Sequence, residues 1–380
     1  RLQYGVLIVD QQCLELGVIR DLCRFDERIP DKHHPEASRW FRLRRLPIEQ
    51  PPVGATYSSA VDVLDVRDYG GGPSGAHPSD VGIQAALDAC TATGRPSIVV
   101  LPNVAKIYFS DAELVPPPCV KRIVGTYYLK AWNPASFPLG KAMFRIQGGT
   151  AADVLTIEGF RGSGQLGGGS WVLQDSPRTV HVKGAIFGGG AMGVVTMPGS
   201  GKTFVSDMAG YLDLRGGQVW LRQYNPEGLG GSARVNNARV WALGVKTEAD
   251  FTVFDLAGGA ALELLGGFFV PGSKNNGQPI GPAPAIRSVD SAFSASYMTF
   301  NAAPGKDYPV QIEETRAGET RTQVTGVNDA PFQTRDNVVS YIGYPPPRHA
   351  LLVVGAPAAL SAHPPVSSGP GFVRRINGGG

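Results

Sequence analysis

The sequence predicts an all-β protein, a single-stranded right-handed parallel β-helix with a short N-terminal capping helix and an N-terminal arm. A phrase of the form apolar-any-apolar-any-Gly recurs at Leu155-Thr-Ile157-Glu-Gly159, Val180-His-Val182-Lys-Gly184, Leu212-Asp-Leu214-Arg-Gly216, Val240-Trp-Ala242-Leu-Gly244 and Leu262-Glu-Leu264-Leu-Gly266. The glycines step by 25, 32, 28 and 22 residues, and looser copies follow at Ile286–Asp290 and Val310–Glu314. Alternation of period two marks a short strand with one buried face, and a closing Gly marks a sharp turn or a close backbone approach. No helical stretch between the copies is long enough for a βαβ crossover, so each copy reads as one coil that is stable only when stacked on its neighbours. The right-handed twist of strands sets the expected hand.

Composition agrees. The chain has 380 residues with 50 Gly, 31 Pro, 18% charged and 42% hydrophobic residues, which describes a folded, turn-rich protein with ample core material. A net charge of +3 is too small to argue for nucleic acid or an anionic membrane surface, and no apolar run has the length of a membrane span. The chain starts at Arg1 with no apolar signal segment, which is compatible with a processed N-terminus and with export. The expected location is extracellular or at the cell surface. Cys13, Cys23, Cys90 and Cys119 lack C-x-x-C spacing, so zinc and redox catalysis are not expected. Two disulfides and four buried thiols both remain open.

Taken in order, residues 1–52 are rich in Arg, Asp and Glu and poor in Gly. A helical face runs through Leu14, Val18, Leu22 and Phe25, and an extended stretch from Trp40 to Leu46 leads into Pro47 and Pro51-Pro52. This segment reads as an arm that either caps the first coil or clasps a neighbouring subunit in a homo-oligomer. No ligand-spaced residues surround His33-His34, so no metal is expected there. Residues 53–325 read as the β-helix. Within them Ser79 or Asp80 should cap a helix whose one face carries Ile83, Leu87 and Cys90 and which Gly94 ends. Such a helix covers the open end of the coil, which would otherwise invite edge pairing. Residues 326–380 read as a closing cap and a Pro/Gly-rich tail.

The stretch Val61-Asp-Val-Leu-Asp-Val-Arg-Asp-Tyr69-Gly70, then Ser79-Asp80-Val-Gly-Ile83-Gln84-Ala-Ala-Leu87, then Ser97-Ile-Val-Val-Leu101-Pro102 up to Ile107-Tyr108, resembles the opening of pectate-lyase-like right-handed β-helix proteins, on their glycosidase- and polygalacturonase-related branch. The resemblance departs at Gly71-Gly-Pro-Ser-Gly-Ala76 and at Ser79-Asp80-Val81, where that superfamily has acidic turn and helix-start residues. It implies the β-helix fold and a polysaccharide or glycan as partner, not catalysis by itself. The Asn-Thr-Asp, Asp-Asp, Gly-His-Gly and Arg-x-Lys elements of the superfamily's polygalacturonase-type enzymes are missing, as is the acidic cluster of its calcium-dependent pectate lyases, so those two activities are not expected. No cofactor is expected. Gly199-Ser-Gly201-Lys202-Thr203 resembles the end of a phosphate loop, but Thr196 stands where its first Gly would be, so it reads as a turn.

If the apolar positions face inward, one outward column reads Thr156, His181, Asp213, Trp241, Glu263, and its neighbour Glu158, Lys183, Arg215, Leu243, Leu265. The functional expectation is a sugar groove in which Asp213 and Glu263 form an acid/base pair two coils apart. Trp241, His181, Arg215 and Lys183 would contact substrate. A glycoside hydrolase or lyase and a non-catalytic structural or adhesive subunit are both compatible with this reading, and a ladder of solvated charges is the simpler account of the column, since outward polar residues need no function.

Overall fold

A computed structural model describes residues 48–324, apart from the short segments 74–76, 103–106, 126–127, 163–165, 189–190, 227–231, 249–250, 272–282 and 301–307, together with the strand backbones at 336–342 and 351–354. Residues 1–47, with Cys13, Cys23 and His33-His34, lie outside the described residues, as does most of 326–380.

The chain forms a parallel β-helix. Successive coils add one strand to a 15-stranded sheet and the next to a 9-stranded sheet. The rungs of the first sheet, numbered one to ten in the text, are Asp62–Asp65, Ser97–Leu101, Val120–Gly125, Val154–Glu158, Thr179–Phe187, Lys202–Ala209, Gln218–Asn225, Arg239–Thr247, Ala261–Phe269 and Ala292–Phe300. Every neighbouring pair among them is parallel. Beyond rung ten the order changes, because Asp336–Ile342 and then Leu351–Val354 add antiparallel. The second sheet stacks Ala142–Ile146, Ser170–Gln174, Met192–Thr196, Tyr211–Leu214, Ala233–Asn236, Phe254–Ala257, Ile286–Val289 and Val310–Arg316 in parallel, and the hairpin strand Glu319–Val324 closes it.

Alternation places the core as the sequence expects. Leu155, Ile157, Val180, Val182, Leu212, Leu214, Val240, Leu262 and Leu264 all belong to one buried apolar cluster between the sheets. Rungs four to nine then each bend at a residue in the left-handed region: Gly159, Gly184, Asp207, Gln223, Gly244 and Gly266. Pairing on either side of the bend stacks these residues in one column. The closing Gly of the sequence phrase is therefore a corner, where positive φ costs a residue without Cβ least.

The corner column corrects the sequence reading in one respect. Its true steps are 25, 23, 16, 21 and 22 residues, because rungs six and seven turn at Asp207 and Gln223 rather than at Gly. Their phrases, Thr203-Phe-Val205-Ser-Asp207 and Val219-Trp-Leu221-Arg-Gln223, lack the glycine by which the repeat was recognised. The phrase at Leu212–Gly216 belongs instead to the second sheet, as do Ile286–Val289 and Val310–Arg316.

At the N-terminal end a helix, Asp80–Thr93, covers the first coil with Ile83, Ala86, Leu87 and Cys90 buried. Gly94, at φ 66°, ends it as the sequence indicates. Ser79 stands at the N-cap but its hydroxyl donates to the Gly72 carbonyl at 2.8 Å rather than capping the helix. Gly82 is needed for close approach, since a Cβ there would lie 2.1 Å from the Gly71 nitrogen. A disulfide between Cys90 and Cys119 ties the helix to the start of rung three.

Candidate functional site

The outward face of the first sheet, before its corner, carries a column fixed by pairing: Thr156, His181, Phe204, Trp220, Trp241, Glu263 and Ser294. Of the residues expected there, Thr156, His181, Trp241 and Glu263 are brought together, and Asp213 is not. Beside them runs Glu158, Lys183, Ser206, Arg222, Leu243 and Leu265, without Arg215. Phe204 and Trp220 stack at 4.8 Å, the Arg222 guanidinium lies 5.0 Å over Trp241, and Lys202 lies 5.9 Å over Trp220. This aromatic ladder was hidden from the sequence reading, since the rungs that supply Phe204 and Trp220 lack the corner Gly.

The ladder is covered. Trp220 is fully buried, and Trp241 is 3% exposed with its indole N–H lacking a partner. Residues 49–57 form a strap across this face. Glu49 pairs with Lys202 at 2.6 Å, its carbonyl accepts from Arg222 at 2.6 Å, and the Ala55 carbonyl accepts from Arg122 at 3.2 Å. A Cβ on Gly54 would lie 2.9 Å from the Thr156 hydroxyl, so the strap passes directly over rung four. His181 is 7% exposed and its Nε2 is 3.0 Å from the Ser206 hydroxyl. Burial, and then the Lys183 charge, lowers its pKa to about 4, so the ring is neutral at neutral pH. Lys183 is exposed.

Asp213 sits on Tyr211–Leu214 of the second sheet, in a column with Val195, Arg234, Asp255, Arg287 and Glu313. Leu212 and Leu214 are in the core, so Asp213 faces away from it, as Glu263 does on the opposite sheet between Leu262 and Leu264. Packed sheets lie about 10 Å apart, and side chains leaving their outer faces diverge further, beyond the roughly 6.5–9.5 Å of an inverting pair. The expected dyad is thus not assembled. Asp213 also holds Arg215 at 2.6 Å, an ion pair that raises the Arg215 pKa and occupies the carboxylate. The two phrases look alike in sequence because both are inward-alternating strands; the sheet to which each belongs is decided by pairing.

The first sheet has a second outward surface beyond the corner, built from Tyr108–Ser110, Tyr128–Ala131 and Arg161–Gly162, which pair in parallel and continue into rung five. Tyr108 and Leu129 point into the core, so Phe109, Tyr128 and Lys130 face out. Trp132 is 43% exposed and meets Phe109 edge-to-face at 5.1 Å. Tyr128 lies beneath two cations, Arg161 at 5.2 Å and Lys130 at 5.8 Å. Among the described residues neither cation has a carboxylate partner. The backbone around Trp132 is pinned: its N–H donates to the Ser110 carbonyl at 3.0 Å, and the Asn133 N–H donates to Asp111 at 2.6 Å. The Asn133 side chain in turn accepts from Ala135 at 3.1 Å at the start of the 3-10 turn Pro134–Ser136. The sequence signal for this row was the alternation Tyr128-Leu-Lys130-Ala-Trp132.

Among the described residues no group of three or more His, Cys, Asp or Glu could hold a metal ion, and no helix is long and apolar enough to cross a membrane. No family model matches the chain, and no curated protein matches it. Among solved structures it is similar to ORF18 of Geobacillus virus E2, at 11% identity over 77% of this chain and 76% of that one, with a TM-score of 0.36. It is also similar to PfbA, a surface adhesin of Streptococcus pneumoniae, at 9% identity over 75% of this chain and 97% of that one, again at 0.36. At such identity and score neither likeness carries an argument about function.

Proposed function

We propose that this chain is a non-catalytic, glycan-binding β-helix, and that the binding surface is the outward row of half-buried Phe109, Tyr128 and Lys130 with exposed Trp132 and Arg161. The observation that carries the reading is a solvent-facing Trp on a pinned backbone beside a Tyr flanked by two cations that have no carboxylate partner among the described residues. Aromatic faces bind the apolar side of a sugar ring, and ordered backbone lowers the entropy lost on binding. Tyr128 and Trp132 are about 13 Å apart along an extended strand, so the row offers a chain of sugars more than one contact. The Cys90–Cys119 disulfide supports an oxidising, extracellular setting, and the resemblance of the opening segment to pectate-lyase-like proteins supports a polysaccharide partner. The separation of Asp213 from Glu263 favours binding over hydrolysis.

The test is affinity electrophoresis against neutral and acidic polysaccharides, with an assay for reducing ends and unsaturated products. Retarded migration without product is expected, and Trp132→Ala should weaken binding about tenfold, a loss of about 1.4 kcal/mol. Product release would restore the enzyme reading. A second reading, assembly through residues 1–52, is favoured by Ile48 in the arm and Val53 directly after it, which are 53% and 89% exposed. Under it, Ile48→Asp in the full chain lowers the mass measured by light scattering.

A further inference from the structure

We infer that the strap of residues 49–57 is an acid-released latch over the outer face of the first sheet, and that His181 is the group that releases it. Thr156, His181, Phe204 and Trp220 all point out of the sheet, yet all four are buried. An outward column is buried by what crosses it, and among the described residues the strap crosses here. Its ends are held by cations of the sheet: Lys202 of rung six pairs with the Glu49 carboxylate, Arg222 of rung seven binds the Glu49 carbonyl, and Arg122 of rung three binds the Ala55 carbonyl. Six extended residues reach about 20 Å and four rung spacings are about 19 Å, so the strap is nearly taut between those ends. Gly54 lies over Thr156 on rung four, which leaves residues 50–53 to cross His181 and Phe204. Pro51 and Pro52 bring no N–H to that crossing.

The groups around the ring leave a proton there unwelcome. Lys183 stands on the same rung and Arg222 two rungs on, and both add to the effect of burial in holding the pKa down to about 4. Glu158 on rung four favours the proton, but it already accepts from Arg122 at 2.9 Å. Glu49, the one charged residue of the strap, is taken by Lys202, and Asp207 of rung six stands at the exposed corner. The Ser206 hydroxyl, 3.0 Å from Nε2, can donate to the neutral ring or accept from the charged one, so it does not decide the matter. A proton on His181 thus puts a further cation beneath the strap, and lifting the strap returns that charge to water. With a pKa of about 4 under the strap and about 6.5 in water, the open fraction at pH 5 rises by up to about thirtyfold. This inference concerns the strap and is independent of the glycan-binding row.

The test is thiol labelling of the full-length chain carrying Thr156→Cys, a side chain that lies under Gly54. The reagent, 4,4′-dithiodipyridine, reacts with thiols in acid. Its rate at that position is read by peptide mass spectrometry and divided by the rate in the denatured chain at the same pH. The ratio should rise at least about tenfold from pH 7 to pH 5 with unchanged far-UV circular dichroism, and adding His181→Gln should abolish the rise. A ratio independent of pH, the same rise with His181→Gln, or a rise that comes only with loss of circular dichroism would overturn the inference. If the Thr156 variant does not fold, a spin label at Val53→Cys, with Cys13→Ser and Cys23→Ser, gives the same decision through its mobility at the two pH values.

Discussion

His181 shows how one buried ring ties the outer face to pH. Its folded pKa, about 4, lies below the unfolded value of about 6.5, so the fold favours the neutral ring. That contribution is complete above pH 6.5 and is lost as pH falls toward 4. It amounts to at most roughly 3 kcal/mol, with Lys183 and Arg222 opposing the proton and Glu158 favouring it. Urea unfolding between pH 7 and 4 should show this loss, and His181→Gln should flatten it. Asp153, held at about 2 chiefly by its hydrogen bond from Lys121, acts in a lower window, since its contribution disappears only below its ordinary value of 3.8. The corner residues make a second prediction at this scale. Gln223 is exposed at φ 51°, a conformation that strains a side chain but not Gly. Gln223→Gly should raise the unfolding free energy by about 0.5–1 kcal/mol, read as a higher urea midpoint at unchanged m.

The capping helix depends on two devices, a buried apolar face and a covalent tie. Ile83, Ala86, Leu87 and Cys90 bury that face, and the disulfide closes a loop with a sequence separation of 29. Chain-entropy reasoning gives such a loop roughly 3–4 kcal/mol of stabilisation. Replacing Cys90 and Cys119 by Ala should therefore lower stability by up to that amount. Hydrogen exchange should rise first across Asp80–Thr93 and the rung it covers, because coil ends lack a neighbour on one side. Equal exchange in all coils would show that the helix is not the weak end.

Stacked coils touch only their neighbours, so the molecule as a whole is a one-dimensional array whose middle is held from both sides. Leu264 lies fully buried in rung nine, which is paired with a parallel rung on either side. Leu264→Ala should cost about 2–4 kcal/mol, checked by denaturant unfolding, whereas Lys183→Ala on the exposed corner should change stability by less than about 0.5 kcal/mol. Because the same rigid array supports both outer surfaces, Trp132→Ala should reduce glycan retention without moving the unfolding midpoint.

How much of this was legible in the sequence depends on the range of the physics involved. Period-two alternation is local, and it was enough to place Leu155, Ile157, Val180, Val182, Leu262 and Leu264 inside and to identify a parallel β-helix. The Ser79–Gly94 helix was legible for the same reason, because its boundary residues and buried face lie within one segment. The stacking of Asp213 with Glu263 was not, since coil register depends on loop lengths, and two corners use Asp207 and Gln223 in place of the glycine that signals a turn. Burial of Trp241 was equally out of reach: an outward position in a strand says nothing of what crosses above it, and on this face the strap residue Glu49 meets Arg222 of rung seven across a sequence separation of 173. Sequence determined which side chains leave each strand toward the core; only the tertiary structure decided which of the others share a face and which remain in contact with water.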